Sequence, residues 1–143
     1  EEEFRWRLEE MAKVADLNEV PLKVLPYDPD SWLRSSVLLA GEPEGGARCG
    51  LCFALQLTAA ARCAMEAGCG VLCTTLTISP HKDPVRIHRI GKAVSEKNGL
   101  IWLDRSWRKN GGFQESVRES RRLGLRRQKY CGCRYSIKGD GTV

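Results

Sequence analysis

Seven cysteines carry the most distinctive chemistry in this chain of 143 residues. Four fall into two tight pairs, Cys49-Gly50-Leu51-Cys52 and Cys131-Gly132-Cys133. A turn or helix start can aim Cys49 and Cys52 at one ion, and Cys131 and Cys133 can converge through a tight turn at Gly132. Four thiolates complete a tetrahedral shell for zinc or supply the corner ligands of an iron–sulfur cluster. A thiol redox pair and unligated buried cysteine remain alternatives on spacing alone. An odd cysteine count, behind the acidic start Glu1, Glu2 and Glu3 rather than a basic signal-peptide start, argues against a disulfide framework. Cys63, Cys69 and Cys73 sit singly in apolar surroundings and are expected to be small core hydrophobes.

A second constellation is Thr75, Thr77, Ser79, His81 and Lys82, at the exit of an apolar run and just before a helix signal. Open α/β sheets bind ligands at strand C-termini, and helix N-termini favour anions. The competing reading is a polar loop that needs no ligand. His88, inside a helix pattern, is expected at the surface.

Charge is spread unevenly. Residues 1–30 hold 4 Lys or Arg against 9 Asp or Glu, whereas residues 101–143 hold 11 against 4. Arg118, Arg121, Arg122, Arg126, Arg127 and Lys129 crowd one stretch that would attract a polyanion such as nucleic acid, or else form a solvated helix face.

The elements that must position these residues follow from periodicity and punctuation. Phe4, Leu8, Met11 and Ala15 place an amphipathic helix at about residues 2–17. Residues 21–26 form a short strand candidate bounded by Pro21 and Pro26, and Asp28-Pro29 caps a short helix through Trp32 and Leu33. An alanine-rich helix runs from about Arg48 to Ala67 and stops at Gly68. Val71 to Leu76 lacks charge, as expected of an inner parallel strand covered on both faces. Asp83-Pro84 opens a helix that Asn98-Gly99 closes, a strand follows at Leu100 to Leu103, and a last helix spans about Phe113 to Leu123.

This βα alternation predicts an α/β fold, a three-layer sandwich around a mostly parallel sheet. Length and 42% apolar content suit one domain over residues 1–137, with a frayed tail at 138–143. No apolar run approaches a membrane span, so a cytoplasmic protein without a membrane partner is expected. Three evident strands are few for such a sheet, which predicts that an N-terminal strand is missing from the chain.

Three ordered blocks carry a resemblance. They are Glu42-Pro43-Glu44-Gly45-Gly46-Ala47-Arg48-Cys49-Gly50-Leu51-Cys52-Phe53, Thr74-Thr75-Leu76-Thr77-Ile78-Ser79-Pro80-His81-Lys82, and Leu125-Arg126-Arg127-Gln128-Lys129-Tyr130-Cys131-Gly132-Cys133. Together they resemble the signature blocks of the QueH-type epoxyqueuosine reductases, from about Phe4 to Ser136. The resemblance implies a cobalamin-independent enzyme that removes the epoxide oxygen from epoxyqueuosine at the tRNA wobble position. It also implies a fold similar to the nucleotide-binding, Rossmann-like sandwiches of the ATP-pyrophosphatase kind.

The cofactor implied is iron held by Cys49, Cys52, Cys131 and Cys133, either as an iron–sulfur cluster of the 4Fe-4S type or as part of a two-metal site with an additional iron; zinc is the alternative. An electron-donor protein and tRNA carrying epoxyqueuosine are the partners. His81, Lys82 and Tyr130 become candidate proton donors or substrate positioners, and Arg118, Arg121, Arg122, Arg127 and Lys129 candidate tRNA contacts. Two departures stand out: the family's N-terminal strand and adjacent-cysteine pair have no counterpart here, and Arg126 stands where members usually carry tyrosine. The alternative reading is a non-catalytic tRNA-binding module with structural zinc; an ATP-using thiolation-type enzyme rests on fold analogy alone.

Overall fold

The computed structural model describes residues 1–128 and 130–137. Helices dominate: α1 (Glu2–Leu17), α2 (Pro29–Ser36), α3 (Ala47–Glu66), α4 (Pro84–Lys97) and α5 (Gly112–Arg122). Short 3-10 turns lie at Val37–Leu39, Leu76–Ile78 and Arg134–Ser136. The punctuation read from sequence sets the helix starts. The Asp28 carboxylate accepts the Ser31 N–H at 3.0 Å ahead of Pro29, and Asp83 accepts the Val85 N–H at 2.9 Å ahead of Pro84. Each satisfies one amide that an α-helix start leaves without an internal partner. Gly68, at φ +69°, turns the chain out of α3 in a conformation that a side chain would oppose.

Strands β1 (Val71–Leu72) and β2 (Ile101–Trp102) pair in parallel, Val71 opposite Ile101 and Leu72 opposite Trp102. The Ile101 and Leu103 amides donate to the Gly70 and Leu72 carbonyls, both at 2.9 Å. Helices α3 and α4 pack on each other and on this ladder. Ala61, Leu72 and Leu100 form the centre of the core, with Ala60, Ala64, Val94 and Trp102 around them. Alanines at 60, 61 and 64 let the α3 backbone come close to the sheet, and Gly91 of α4 makes room for the Trp102 indole. The arrangement is α/β, with a small parallel sheet among the described residues.

Several expectations need correction. Residues 21–26 form no strand: they are exposed throughout, Pro21 and Pro26 have no N–H to donate, and no neighbour strand meets them. The strand expected from Val71 to Leu76 ends after Leu72, because the Thr74 hydroxyl accepts the Leu76 N–H at 3.2 Å and starts a 3-10 turn. Nor is β1 covered on both faces. Leu72 is buried, whereas Val71 is 51% and Ile101 68% exposed. Cys69 and Cys73 are likewise exposed, not core hydrophobes, and Cys63 is half-buried. The tail assigned to residues 138–143 lies outside the described residues.

The Gly91–Trp102 contact yields a test. A methyl group at position 91 runs into the Trp102 ring. Gly91→Ala is therefore expected to destabilise the fold by about 1–3 kcal/mol in urea unfolding, against its gain in helix propensity. An unchanged or raised midpoint would show that the indole has room to move.

Candidate active site

The two cysteine pairs are held by different devices. Cys49 and Cys52 lie in the first turns of α3, whose Gly46 cap has no side chain. The Glu42 carboxylate takes over that task by accepting the Ala47 N–H at 2.8 Å, and Cys49 Sγ accepts the Gly45 N–H at 3.2 Å. Arg48, 4% exposed, directs Nη1 at the carbonyls of Leu39, Ala40 and Glu42, at 3.0, 2.9 and 2.6 Å. Arg86 of α4 reaches back to the Gly45 and Gly46 carbonyls, the latter at 2.9 Å. The irregular turn leading into the first pair thus finds its carbonyl partners in two guanidinium groups.

The second pair hangs on α1. Arg7 donates from Nη2 to the Tyr130 carbonyl at 2.9 Å and from Nη1 to the Cys131 carbonyl at 3.2 Å, while Glu3 holds its Nε at 2.6 Å. Gly132, at φ +90°, completes the turn, and a Cβ there would meet the Arg7 guanidinium at 2.8 Å. That turn lets the Cys133 amide donate to Cys131 Sγ at 3.4 Å. Ser136 Oγ lies 3.3 Å from Cys131 Sγ and donates to the Cys133 carbonyl at 2.7 Å.

Tyr135 then brings the two devices together. Its ring lies 5.8 Å from that of Trp32 on α2 and faces the Arg48 guanidinium at 4.8 Å. Burial pushes the Cys52 thiol above its ordinary range; hydrogen bonds from Gln56 and Trp32 pull it back, and the negative charge of Cys133 and Cys131 adds to the rise. Cys52 therefore lies within electrostatic reach of the second pair. Among the described residues, no three His, Cys, Asp or Glu side chains already enclose a space for an ion. Cys49, Cys52, Cys131 and Cys133 are all half-buried free thiols, and a soft four-thiol donor set of this kind suits zinc or iron.

Beside Cys131 opens a cleft of about 930 Å³. Ser79, His81 and Lys82 line one part of it, and Arg126, Arg127 and Tyr130 another, with Trp6 and Phe113 supplying aromatic wall. Three sequence candidates, His81, Lys82 and Tyr130, so meet a candidate thiol. The loop that carries His81 and Lys82 is fixed by Arg108, whose Nη1 donates to the carbonyls of Ser79, Pro80 and Lys82 at 3.1, 3.3 and 3.0 Å. Thr77, by contrast, is fully buried: its hydroxyl donates to the Arg105 carbonyl and accepts the Trp107 N–H. It builds the loop rather than facing a ligand.

Arg118, Arg121 and Arg122 are exposed on α5, two of them paired one turn back: Arg118 with Glu115, and Arg122 with Glu119 at 2.7 Å. Arg126 stacks 3.9 Å over Trp6 and Arg127 faces Phe113 at 6.0 Å, both at the cleft. Lys129 lies outside the described residues. His88 is not the surface side chain expected. It accepts the Trp102 indole N–H at Nδ1 (3.2 Å), and its Nε2 lies 3.2 Å from both Asp104 Oδ1 and Ser106 Oγ. The residues that sequence reasoning missed are the loop-holding arginines Arg7, Arg48, Arg86 and Arg108. Arg48 alone has a signal, a charge in the otherwise uncharged first half of α3; nothing in sequence links Arg108 to residues 79–82.

The Cys52 environment predicts a labelling pattern. With its pKa raised, less thiolate is present at neutral pH, so iodoacetamide should modify Cys52 more slowly in the metal-free folded chain than in urea. The gap should narrow as pH rises. Equal rates at neutral pH, read by mass spectrometry, would show that Cys52 is not buried in solution.

Comparison with known proteins gives the family of the chain. The family model for epoxyqueuosine reductase QueH matches residues 1–139. The QueH epoxyqueuosine reductase of Acinetobacter baylyi is 35% identical over 137 residues, covering 95% of this chain and 63% of that protein. That of Haemophilus influenzae is 35% identical over 137 residues (95% and 56%), and that of Thermotoga maritima 34% over 138 residues (94% and 72%). The chain thus spans less than two thirds of the length of several curated relatives. Three motif blocks, a cleft lined by the second and third of them, and a match along nearly the whole sequence lead to one conclusion: the chain belongs to the QueH family of epoxyqueuosine reductases.

Proposed function

We propose that this chain carries the reducing site for epoxyqueuosine in tRNA. The observation that carries the reading is the cleft in which His81, Lys82, Tyr130 and Arg127 meet Cys131. Removing an epoxide oxygen to leave an alkene takes two electrons and two protons and releases water. Side chains of this chain can give the protons. His81, Lys82 and Tyr130 are the donors within the cleft, and the Arg108 contacts hold the first two at its wall.

An iron–sulfur centre held by Cys49, Cys52, Cys131 and Cys133, of the 4Fe-4S type with a further iron, would supply the electrons, refilled by an electron-donor protein. The donor set fits it: four half-buried thiols, with Cys52 close enough to Cys131 and Cys133 to feel their charge. Trp6 and Phe113 offer flat apolar surface against a nucleobase, and Arg126 and Arg127 offer cations to neighbouring phosphates. No helix among the described residues is long and apolar enough to cross a membrane, in keeping with a cytoplasmic tRNA enzyme. The open face and free edge of the β1–β2 ladder leave room for the further strand and layer of a three-layer sandwich.

The test is anaerobic reconstitution with iron and sulfide, followed by metal analysis and assay on epoxyqueuosine-tRNA. Replacing Cys52 or Cys131 with Ser should remove most of the bound iron and abolish turnover, whereas Cys69→Ser and Cys73→Ser should leave both unchanged. A protein that takes up zinc alone and turns over no substrate would favour the structural-zinc module. The arginines have a separate measurement. Replacing Arg118, Arg121 and Arg122 with Ala should flatten the salt dependence of tRNA binding, each lost phosphate contact lowering the log–log slope by about 0.7–0.9. The ion pairs of Arg118 and Arg122 leave Arg121 as the largest single contributor, and an unchanged slope would return all three to a solvated helix face.

A further inference from the structure

A second basin, of about 760 Å³, opens on the other side of α5 from the cleft. Phe113, Ser116 and Ser120 form the stripe of that helix that lines the cleft, whereas Gln114, Glu115 and Arg118, on the opposite stripe, line the basin. The segment from Asp104 to Gly112 supplies the rest of its lining. That segment is firmly held. The buried Thr77 hydroxyl donates to the Arg105 carbonyl at 2.9 Å and accepts the Trp107 N–H at 3.2 Å, and the Trp107 indole donates to the Thr74 carbonyl at 2.8 Å. Arg108, from the same segment, reaches the other way to the carbonyls of Ser79 and Lys82 at the cleft. Cleft and basin thus share one fixed partition.

The basin carries a flat cation on an anchored aromatic ring: the Arg105 guanidinium lies 4.9 Å from the Trp107 ring centroid. Both of its carboxylates are engaged. Glu115 pairs with Arg118, and Asp104 lies 3.2 Å from His88 Nε2, which carries the ring proton because Nδ1 accepts the Trp102 indole N–H. Among the described residues, neither Arg105 nor Lys109 has a carboxylate partner. A planar guanidinium, a compact ammonium and the amides of Asn110 and Gln114 therefore share one concave surface. A nucleotide asks for such groups: its base stacks on a planar cation, its phosphate takes an ammonium, and its polar edges and ribose take amide hydrogen bonds.

We propose that the basin is a second RNA subsite, which takes a nucleotide flanking the one in the cleft, with Arg105 stacking on its base and Lys109 meeting its phosphate. The inference rests on the reading of the chain as an enzyme acting on tRNA and states where the rest of the strand goes. A helix with its side chains is about 10–12 Å across, a width that a short run of single-stranded RNA crosses. Arg105 and Lys109 meet the strand away from the reacting atoms, so they set affinity and register rather than the chemical step.

The experiment is fluorescence anisotropy with a labelled, unmodified tRNA anticodon stem–loop, repeated over a range of salt. Arg105→Ala should weaken binding about 5-fold or more, the scale of one lost base stack, and Lys109→Ala should lower the log–log salt slope by about 0.7. Arg105→Lys keeps the charge and loses the plane, so it should keep the parent slope yet bind more weakly. Lys92→Ala, the same loss of charge on α4 outside both cavities, should match the parent. Parent-like binding by Arg105→Ala and Lys109→Ala would overturn the inference, as would an equal effect of Lys92→Ala, which would make net charge the cause. Arg127→Ala, at the cleft, keeps the two readings apart: if it weakens binding while the basin variants do not, the cleft reading stands and the basin falls, whereas a parent that binds no RNA would sink both. Should the variants fail to fold, the parent still decides. A stem–loop with 4-thiouridine beside the wobble position should crosslink under near-ultraviolet light to residues 104–112, and crosslinks confined to other segments would overturn the proposal.

Discussion

Loops that carry a site must still satisfy their backbone carbonyls, and here arginine side chains do that work. Arg7 holds the turn around Cys131, Arg48 the turn at residues 39–42, Arg86 the entry to α3, and Arg108 the loop from Ser79 to Lys82. A guanidinium offers five donors in a fixed plane, so one side chain can collect several carbonyls that a strand or helix would otherwise engage. The regular framework is slight, two strands of two residues each and helices joined by irregular turns. Without these arginines, the turns beside the two cysteine pairs and the His81–Lys82 loop would lose most of their carbonyl partners.

The same arrangement changes how the basic composition is understood. Part of the positive charge faces inward, toward carbonyls, and among the described residues only Arg7 of these four has a carboxylate partner. Cations without countercharge raise the potential of the space they surround, and partial burial keeps salt from screening them. The cleft lining carries Arg7, Lys82, Arg126 and Arg127 against Glu10 and Glu44, an excess of positive charge. An anionic substrate would meet this field before touching any single residue.

Much of this was legible in sequence wherever the information is local. Periodicity, capping residues and glycine stops placed α1, α3, α4 and α5 within a residue and fixed the start of α2, which runs on to Ser36 past the expected Leu33, since each signal depends on neighbours only a few positions away. The cysteine pairs and the His81–Lys82 loop were legible from residue type and spacing. What failed was non-local. Residues 21–26 had strand-like composition but no partner, Val71 to Leu76 was apolar enough for an inner strand yet turned at Thr74, and His88 gave no hint of Trp102 and Asp104. Cys69 and Cys73 were misplaced for the same reason: an apolar neighbourhood along the chain does not say which face of a strand is covered.

The Arg7–Cys131 hydrogen bond spans 124 residues of chain. Closing so long a loop costs entropy that local contacts do not, so the α3–α4 pair, near in sequence, can form early while the thiol site waits for α1 to meet residues 130 and 131. During synthesis α1 emerges well before residues 130 and 131, and it finds its partner only when they have also emerged. The site in this sense comes after the α3–α4 framework: a chain cut short before Tyr130 could keep its central helices and sheet while α1 had nothing to hold.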